Sequence, residues 1–176
     1  MLSIALLRPI GEPMCMDVYR IIESDHALIR TLLDRIAAAR NPEWRYQLCR
    51  ELAAVVQVHA RAKRLAFYDL LSRNPHAQAR IAAPQEEQDI AQSFLREALS
   101  HDPESPGFLR LFREARAELE HLMQAEAGGL FAYARTLLDD LQAARAGQQM
   151  RALKDELIEA DYMGNPSLRA DAGFYS

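Results

Sequence analysis

The sequence is poor in the residues that build sheets and cross-links. Its 176 residues include only two cysteines and, taken together, 15 valines, isoleucines and threonines. β-branched residues favour half-buried strands, whereas alanine and leucine, which number 53 here, favour helices. The cysteines, Cys15 and Cys49, form neither a disulfide framework nor a CxxC metal site. We therefore expect an all-α protein whose two thiols are free, as is typical of the cytoplasm.

The sequence also lacks an excess of basic charge and a long apolar run. With 25 acidic against 21 basic residues, its formal net charge of −4 argues against nucleic-acid binding. The apolar run at residues 2–7 is far below the roughly 18 residues of a membrane span, and no charged region of a signal peptide precedes it. We predict a cytoplasmic protein that binds neither nucleic acid nor membrane. Its only two lysines are Lys63 and Lys154.

Apolar residues recur at three- and four-residue steps along five segments, which is typical of amphipathic helices. Asn41-Pro42 and Ser105-Pro106 each pair a capping residue with a proline that suits a first helical turn. A third helix is expected from Pro84, and Gly147 is expected to end the fourth. The predicted helices cover about residues 17–40, 42–73, 84–101, 106–146 and 148–162.

Four long amphipathic helices with short connections predict an up-down-up-down antiparallel four-helix bundle with a short extra C-terminal helix. In this interpretation residues 1–15 are an extended leader, residues 16–146 form the bundle, and residues 147–176 are the C-terminal helix and tail. The extra helix would lie against the bundle or against a second copy, so a homodimer is possible in this scheme.

Three histidines lie on predicted apolar stripes, namely His26, His59 and His121. The separation of 33 residues between His26 and His59 recurs between Gln88 and His121, so the chain reads as two related helical hairpins. In this alignment Asp25 corresponds to Glu87. We expect His26, His59, Gln88 and His121 to point into one interior layer, where a metal is a natural occupant.

At these residues the sequence resembles the hemerythrin-like (HHE cation-binding) family, over about residues 17–138. The resemblance implies a bundle that holds two irons at its centre through histidines of all four helices and two bridging carboxylates. Its members bind oxygen, sense oxygen or iron, or serve in redox stress. By position it implies four metal ligands here, His26, His59, His121 and Glu126. The segments that carry the resemblance are Asp25-His26, His59-Ala-Arg-Ala-Lys63-Arg-Leu-Ala-Phe67-Tyr68, Glu86-Glu87-Gln88 and His121-Leu-Met-Gln-Ala-Glu126-Ala-Gly-Gly-Leu-Phe131.

Two positions depart from the family pattern. Lys63 stands where the second-helix bridging carboxylate is expected, and Gln88 stands where the third-helix histidine is expected. An ammonium reverses the sign of a group that offsets the repulsion between two metal ions. We predict that Lys63 pairs with Glu126, or failing that with Glu118, because an unpaired buried charge is costly.

Three interpretations of the centre remain open. It holds no metal and forms a polar network, or it holds a single iron or zinc ion on His26, His59 and Glu126, with or without His121. The third interpretation is a complete di-iron centre, which the presence of Lys63 and Gln88 disfavours.

The incomplete ligand set predicts a regulatory, sensing or interaction role rather than oxygen carriage. The alternatives are a non-haem iron protein that acts on or senses oxygen or peroxide, and a metal sensor or store. The sequence offers no nucleophile–base pair, phosphate loop or cofactor fingerprint, so no catalytic residue is assigned.

Overall fold

A computed structural model describes residues 16–164 of the chain, with side chains as far as residue 160, and every regular element in this range is a helix. The predicted leader at residues 1–15 and the end of the tail lie outside the described residues. The helices are α1 (Val18–Ala38), α2 (Pro42–Lys63, continued by a π-turn at Arg64–Tyr68 and a last turn at Asp69–Leu71), α3 (Pro75–Ala98), α4 (Pro106–Ala125, continued by a π-turn at Glu126–Leu130 and by Phe131–Leu137) and α5 (Asp140–Gly164).

Side-chain caps explain where the first four helices begin. The side chains of Asp17, Asn41, Asn74 and Ser105 each accept a hydrogen bond from a backbone N–H two or three residues further on. A proline follows the cap at the start of α2, α3 and α4, where its missing N–H costs nothing. The starts predicted at Pro42 and Pro106 are confirmed.

The predicted start of α3 at Pro84 is wrong, because the helix begins at Pro75. Asn74 accepts from the backbone N–H of His76 at 2.9 Å, so Asn74-Pro75 is the same start signal as Asn41-Pro42. Pro84 lies buried inside the helix.

The predicted boundary between α4 and the C-terminal helix at Gly147 is also wrong. The α4 helix ends at Leu137, and Leu138 is extended, with φ −111° and ψ 129°. Asp139 then caps α5 reciprocally, since Gln142 N donates to Asp139 Oδ1 (2.7 Å) and Asp139 N donates to Gln142 Oε1 (3.0 Å). The sequence signal was therefore a capping box rather than a glycine stop.

Gly147 lies inside α5 and serves a close approach between helices. A Cβ at this position would press on the carbonyl oxygen of Met16 and lie 3.0 Å from the backbone nitrogen of Val18. This contact places α5 beside the start of α1.

The core consists of two apolar clusters, stacked along the bundle. The α5-side cluster joins the start of α1, the end of α2, the start of α3, the end of α4 and the inner face of α5. The loop-side cluster joins the opposite ends of α1 to α4. Because the chain passes from one cluster to the other in each successive helix, α1 to α4 run alternately up and down, which confirms the predicted antiparallel bundle. None of the described helices is long and apolar enough to cross a lipid bilayer.

Candidate functional site

Between the two apolar clusters lies a layer of buried polar side chains, to which all four bundle helices contribute. We call it the polar layer. Each of its members exposes 6% or less of its surface, so each charge needs a partner inside the protein. The polar layer comprises Asp25 and His26 from α1, His59 and Lys63 from α2, Gln88 from α3 and Glu126 from α4.

An ion pair between α2 and α4 forms the middle of the polar layer. Lys63 Nζ donates to Glu126 Oε1 at 2.6 Å, and the two side chains are 1% and 0% exposed. The same ammonium donates to Gln88 Oε1 at 3.2 Å and lies 5.3 Å from the centre of the Tyr68 ring. The ion pair predicted from the sequence is confirmed.

Tyr68 donates its hydroxyl hydrogen to the same oxygen of Glu126. Burial would by itself raise the pKa of Glu126, but Lys63 and His26 outweigh it and hold that pKa well below its usual range. Burial, reinforced by Glu126, raises the pKa of Tyr68. Glu126 is therefore an ionised acceptor, and Tyr68 is a neutral donor.

A second ionic chain starts at α5 and ends at His59. Lys154 of α5 donates to Asp25 Oδ1, and the other oxygen of Asp25 lies 2.9 Å from His59 Nδ1. Burial, assisted by the nearby charge of Lys63, lowers the pKa of His59 to about 4. Burial opposes ionisation of Asp25, but His59 and Lys154 prevail and lower the pKa of Asp25. His59 is thus neutral at pH 7, and Asp25 fixes the tautomer with hydrogen on Nδ1.

Three of the four predicted ligands come together at the centre. His26 Nε2 lies 3.0 Å from Glu126 Oε2, and the rings of His26 and His59 are 5.4 Å apart between centroids. In the described part of the chain, three atoms here are buried without an aligned hydrogen-bond partner, namely His26 Nε2, His59 Nε2 and Glu126 Oε2.

His121 does not join them, and the expectation that it points inward is wrong. Its side chain is 68% exposed, and its Nδ1 lies 3.4 Å from Glu87 Oε2. A step of five residues in an α-helix turns the side chain by about 140° away from the starting direction. Since the π-turn of α4 begins only at Glu126, nothing before it brings His121 onto the face of Glu126. For His26, His59 and Gln88 the predicted common layer is confirmed.

The predicted relation between the two hairpins has a counterpart in side-chain contacts. Asp25 meets His59 in the first hairpin, and the aligned residues Glu87 and His121 meet in the second. The first pair is buried beneath α5, whereas the histidine of the second is open to solvent.

Tyr68 and Lys154 also belong to this network, and neither was predicted from the sequence. Tyr68 follows Lys63 by five residues and faces the same oxygen only because a π-turn spans Arg64–Tyr68. A signal for Lys154 was present, since it lies four residues after Met150, a buried residue of the α5 inner face.

The donor set does not fit two irons. Glu126 contacts His26, and Asp25 contacts His59 at Nδ1, so no carboxylate is seen to join the two imidazoles. An ammonium occupies the place of the second bridging group. In residues 16–160 no three side chains of histidine, cysteine, aspartate or glutamate are arranged to hold a metal ion. At the two bridging positions, two adjacent metal ions would meet one carboxylate and one ammonium, whereas the resemblance implies two carboxylates.

Comparison with solved structures shows which fold this is. The chain is similar to the crystal structure of a hemerythrin HHE cation-binding domain-containing protein from Mycobacterium kansasii, with a TM-score of 0.75 and 23% sequence identity. The likeness covers 88% of this chain and 96% of that one. No family model and no curated protein sequence matches the chain. The chain has the hemerythrin-like fold, as the sequence predicted.

Proposed function

We propose that this chain is a hemerythrin-like protein in which an internal ion-pair network replaces the di-iron centre. Its role is regulatory or interactive rather than oxygen carriage. The observation that carries the proposal is the 2.6 Å contact between the fully buried Lys63 ammonium and Glu126 Oε1.

Charge arithmetic supports this proposal. Two metal ions a few ångströms apart repel each other, and bridging carboxylates offset that repulsion. Here the one carboxylate at the middle of the polar layer is already engaged by Lys63 and Tyr68. The network holds itself together with protein groups alone, so the centre stabilises one arrangement of the four helices without an added ion.

Metal stoichiometry tests the proposal. Protein purified from iron-supplemented cells should contain at most one metal ion per chain by elemental analysis. Two irons per chain, with the absorption band of an oxo bridge, would show that Lys63 moves aside and that the proposal is wrong.

A charge-reversal variant tests the part played by Lys63. Lys63→Glu should raise iron uptake, because it restores a carboxylate at the bridging position. Arg151→Glu makes the same change of net charge at an exposed position of α5 and should leave uptake unchanged. If Lys63→Glu alone has no effect, adding Gln88→His shows whether the missing histidine is the larger obstacle. No uptake in the double variant would contradict the assignment of the bridging position to Lys63.

A second candidate is a single iron or zinc ion on His26, His59 and Glu126. Two imidazoles and one carboxylate suit Fe(II), and His26 Nε2, His59 Nε2 and Glu126 Oε2 are buried without an aligned hydrogen-bond partner. In the described structure the three side chains are not arranged around a common point, so binding an ion would require them to move. Such a protein would be a non-haem iron protein that senses or acts on oxygen or peroxide, or a metal sensor or store. One tightly held metal per chain, lost in His59→Ala and retained in His121→Ala, would establish this candidate in place of the first.

A further inference from the structure

The fifth helix has a polar tie to the centre that the four-helix bundle does not supply. Lys154 of α5 and His59 of α2 hold opposite oxygens of the same carboxylate, Asp25. The Lys154 side chain is 25% exposed, so this tie lies at the rim of the polar layer, whereas His59 lies inside it. The orientation of the buried imidazole thus depends on a residue of the outermost helix.

The apolar attachment of α5 is thin over residues 140–160, the part of the helix whose side chains are described. The buried side chains in this part are Ala143, Ala146 and Met150, of which two are the smallest that carry a Cβ. Leu153 and Leu157 are only partly buried, and Ile158 is 40% exposed. Small buried side chains contribute little transfer free energy, so the ionic contact of Lys154 with Asp25 adds to a modest apolar attachment.

Gly147 adds a steric condition to this attachment. The helix approaches the first residues of α1 so closely that a Cβ at position 147 would collide with the backbone of Met16 and Val18. The path of α5 is therefore defined at Gly147 by backbone contact and at Lys154 by charge.

From these contacts we propose that α5 is a strap that opens and closes over the polar layer. This inference rests on the proposed regulatory role and gives it a moving part. With the strap closed, Lys154 and Asp25 fix the His59 ring and exclude solvent. With the strap open, Asp25 loses one of its two partners, the α5-side cluster is uncovered, and His59 gains access to solvent.

Hydrogen exchange measured by mass spectrometry on the full chain tests the strap. In the wild type, the amides of α5 should exchange faster than those of the buried parts of α1 and α2. Lys154→Met should accelerate exchange in α5 by about tenfold or more, because a charge-assisted hydrogen bond contributes at least that factor. Arg151→Met removes an exposed base of the same helix and should change nothing. Gly147→Ala, which acts through steric conflict, should accelerate exchange as Lys154→Met does.

Chemical labelling of histidine gives an independent readout. Diethyl pyrocarbonate should modify His121 equally in all variants, since its side chain is 68% exposed. His59 should be protected in the wild type and in Arg151→Met, and should react faster in Lys154→Met and Gly147→Ala.

Equal exchange rates for α5 and α1 in both the wild type and Lys154→Met would overturn the strap, as would unchanged protection of His59. These results are independent of metal content. Finding two irons per chain would contradict the proposed function but not the strap. The strap is tested by the exchange and labelling measurements on α5 and His59.

Discussion

At the scale of single residues, an enclosed ammonium is tolerated only where an opposite charge meets it. Lys63 and Glu126 satisfy this condition for each other, with Gln88 and Tyr68 completing their hydrogen bonds. A buried ion pair is not a strong source of stability in itself, but a broken one is expensive. The pair therefore specifies how α2 and α4 face each other.

Removing one partner of this pair should be far worse than removing both. We expect Lys63→Met or Glu126→Leu alone to lower the free energy of unfolding by about 3–5 kcal/mol, because the remaining charged group keeps no matched partner. Lys63→Met combined with Glu126→Leu should be milder than the sum of the single changes. Urea denaturation of the four proteins of this cycle measures the coupling.

The exposed pair of Arg116 and Glu120 is the control for this cycle. Its atoms are as close, at 2.7 Å, but the side chains are 31% and 49% exposed. Arg116 also pairs with Asp34, so Glu120→Gln removes the pair with Glu120 alone and should lower the free energy of unfolding by less than about 1 kcal/mol. Additive effects of Lys63→Met and Glu126→Leu would contradict the role assigned to the buried pair.

The pH dependence of stability should report on His59. Its pKa is about 4 in the folded protein against an ordinary 6.5. At a pH between these two values the unfolded chain therefore binds more protons than the folded one. Acid therefore favours unfolding. We expect a loss on the order of 3 kcal/mol as the pH falls from about 6.5 to 4. Glu126, whose pKa is lowered by its partners, stabilises the fold above its ordinary pKa and loses that contribution at still lower pH.

Urea denaturation between pH 7.5 and 4.5 in the presence of a chelator measures this loss. His59→Gln should flatten the slope in that window, whereas His121→Gln should leave the slope unchanged because that residue is exposed. Equal slopes in the wild type and His59→Gln would show that His59 titrates normally.

At this scale the sequence predicted which residues point inward better than which distant residues meet. The spacing from His59 predicted the inward direction of Lys63, whereas the position of Glu126, and with it the expected pairing, was implied by the family resemblance. The prediction for His121 was wrong because a step of five residues along an α-helix leaves the inward face unless a π-turn intervenes. A helical pattern in the sequence does not show where a π-turn occurs. Lys154 and Asp25 are 129 residues apart, and only the packing of α5 shows that they meet.

At the scale of helices, Gly147 has a different role from Gly128 and Gly129. A Cβ at Gly128 or Gly129 meets nothing within 4 Å, whereas a Cβ at Gly147 collides with α1. Gly128→Ala and Gly129→Ala should each stabilise the protein by about 0.5–1 kcal/mol, through the higher helix propensity of alanine.

Gly147→Ala should instead lower the midpoint of thermal unfolding, although it makes the same chemical change. Calorimetry on the three variants gives the comparison. A loss of stability at Gly128 or Gly129 would mean that the π-turn of α4 needs glycine, and unchanged stability at Gly147 would contradict the close approach of α5.

Helix boundaries were the least predictable part of the fold. The cap-and-proline starts of α2 and α4 were predicted because two local signals coincide there. Pro84 resembles a first-turn proline, but the cap and proline that start α3 are Asn74 and Pro75, and Pro84 lies buried inside the helix. The break after Leu137 depends on the capping box at Asp139, which a search for a glycine stop overlooks.

At the scale of the whole molecule, folding should not depend on an added metal ion. The two apolar clusters consist of protein side chains, and in the polar layer between them Lys63 and Glu126 balance each other's charge. We expect a strong chelator to change Tm by less than about 2 °C, which corresponds to under roughly 1 kcal/mol for a chain of this length. Far-UV circular dichroism followed with temperature checks this.

The single-metal candidate makes the opposite prediction for the same measurement. An ion in hundredfold excess over its dissociation constant would stabilise the fold by about 2.7 kcal/mol. A fall of several degrees on chelation, restored by Fe(II) or Zn(II), would favour that candidate.

The two acid–histidine pairs that the repeat places at equivalent positions should evolve under different constraints. Asp25 and His59 are linked to Lys154 of α5, so changes at these three positions should accompany one another among related sequences. In the other pair the side chains of His121 and Glu87 are 68% and 21% exposed, so these two positions should vary more independently. Related sequences should thus show covariation in one hairpin of the twofold plan and drift in the other.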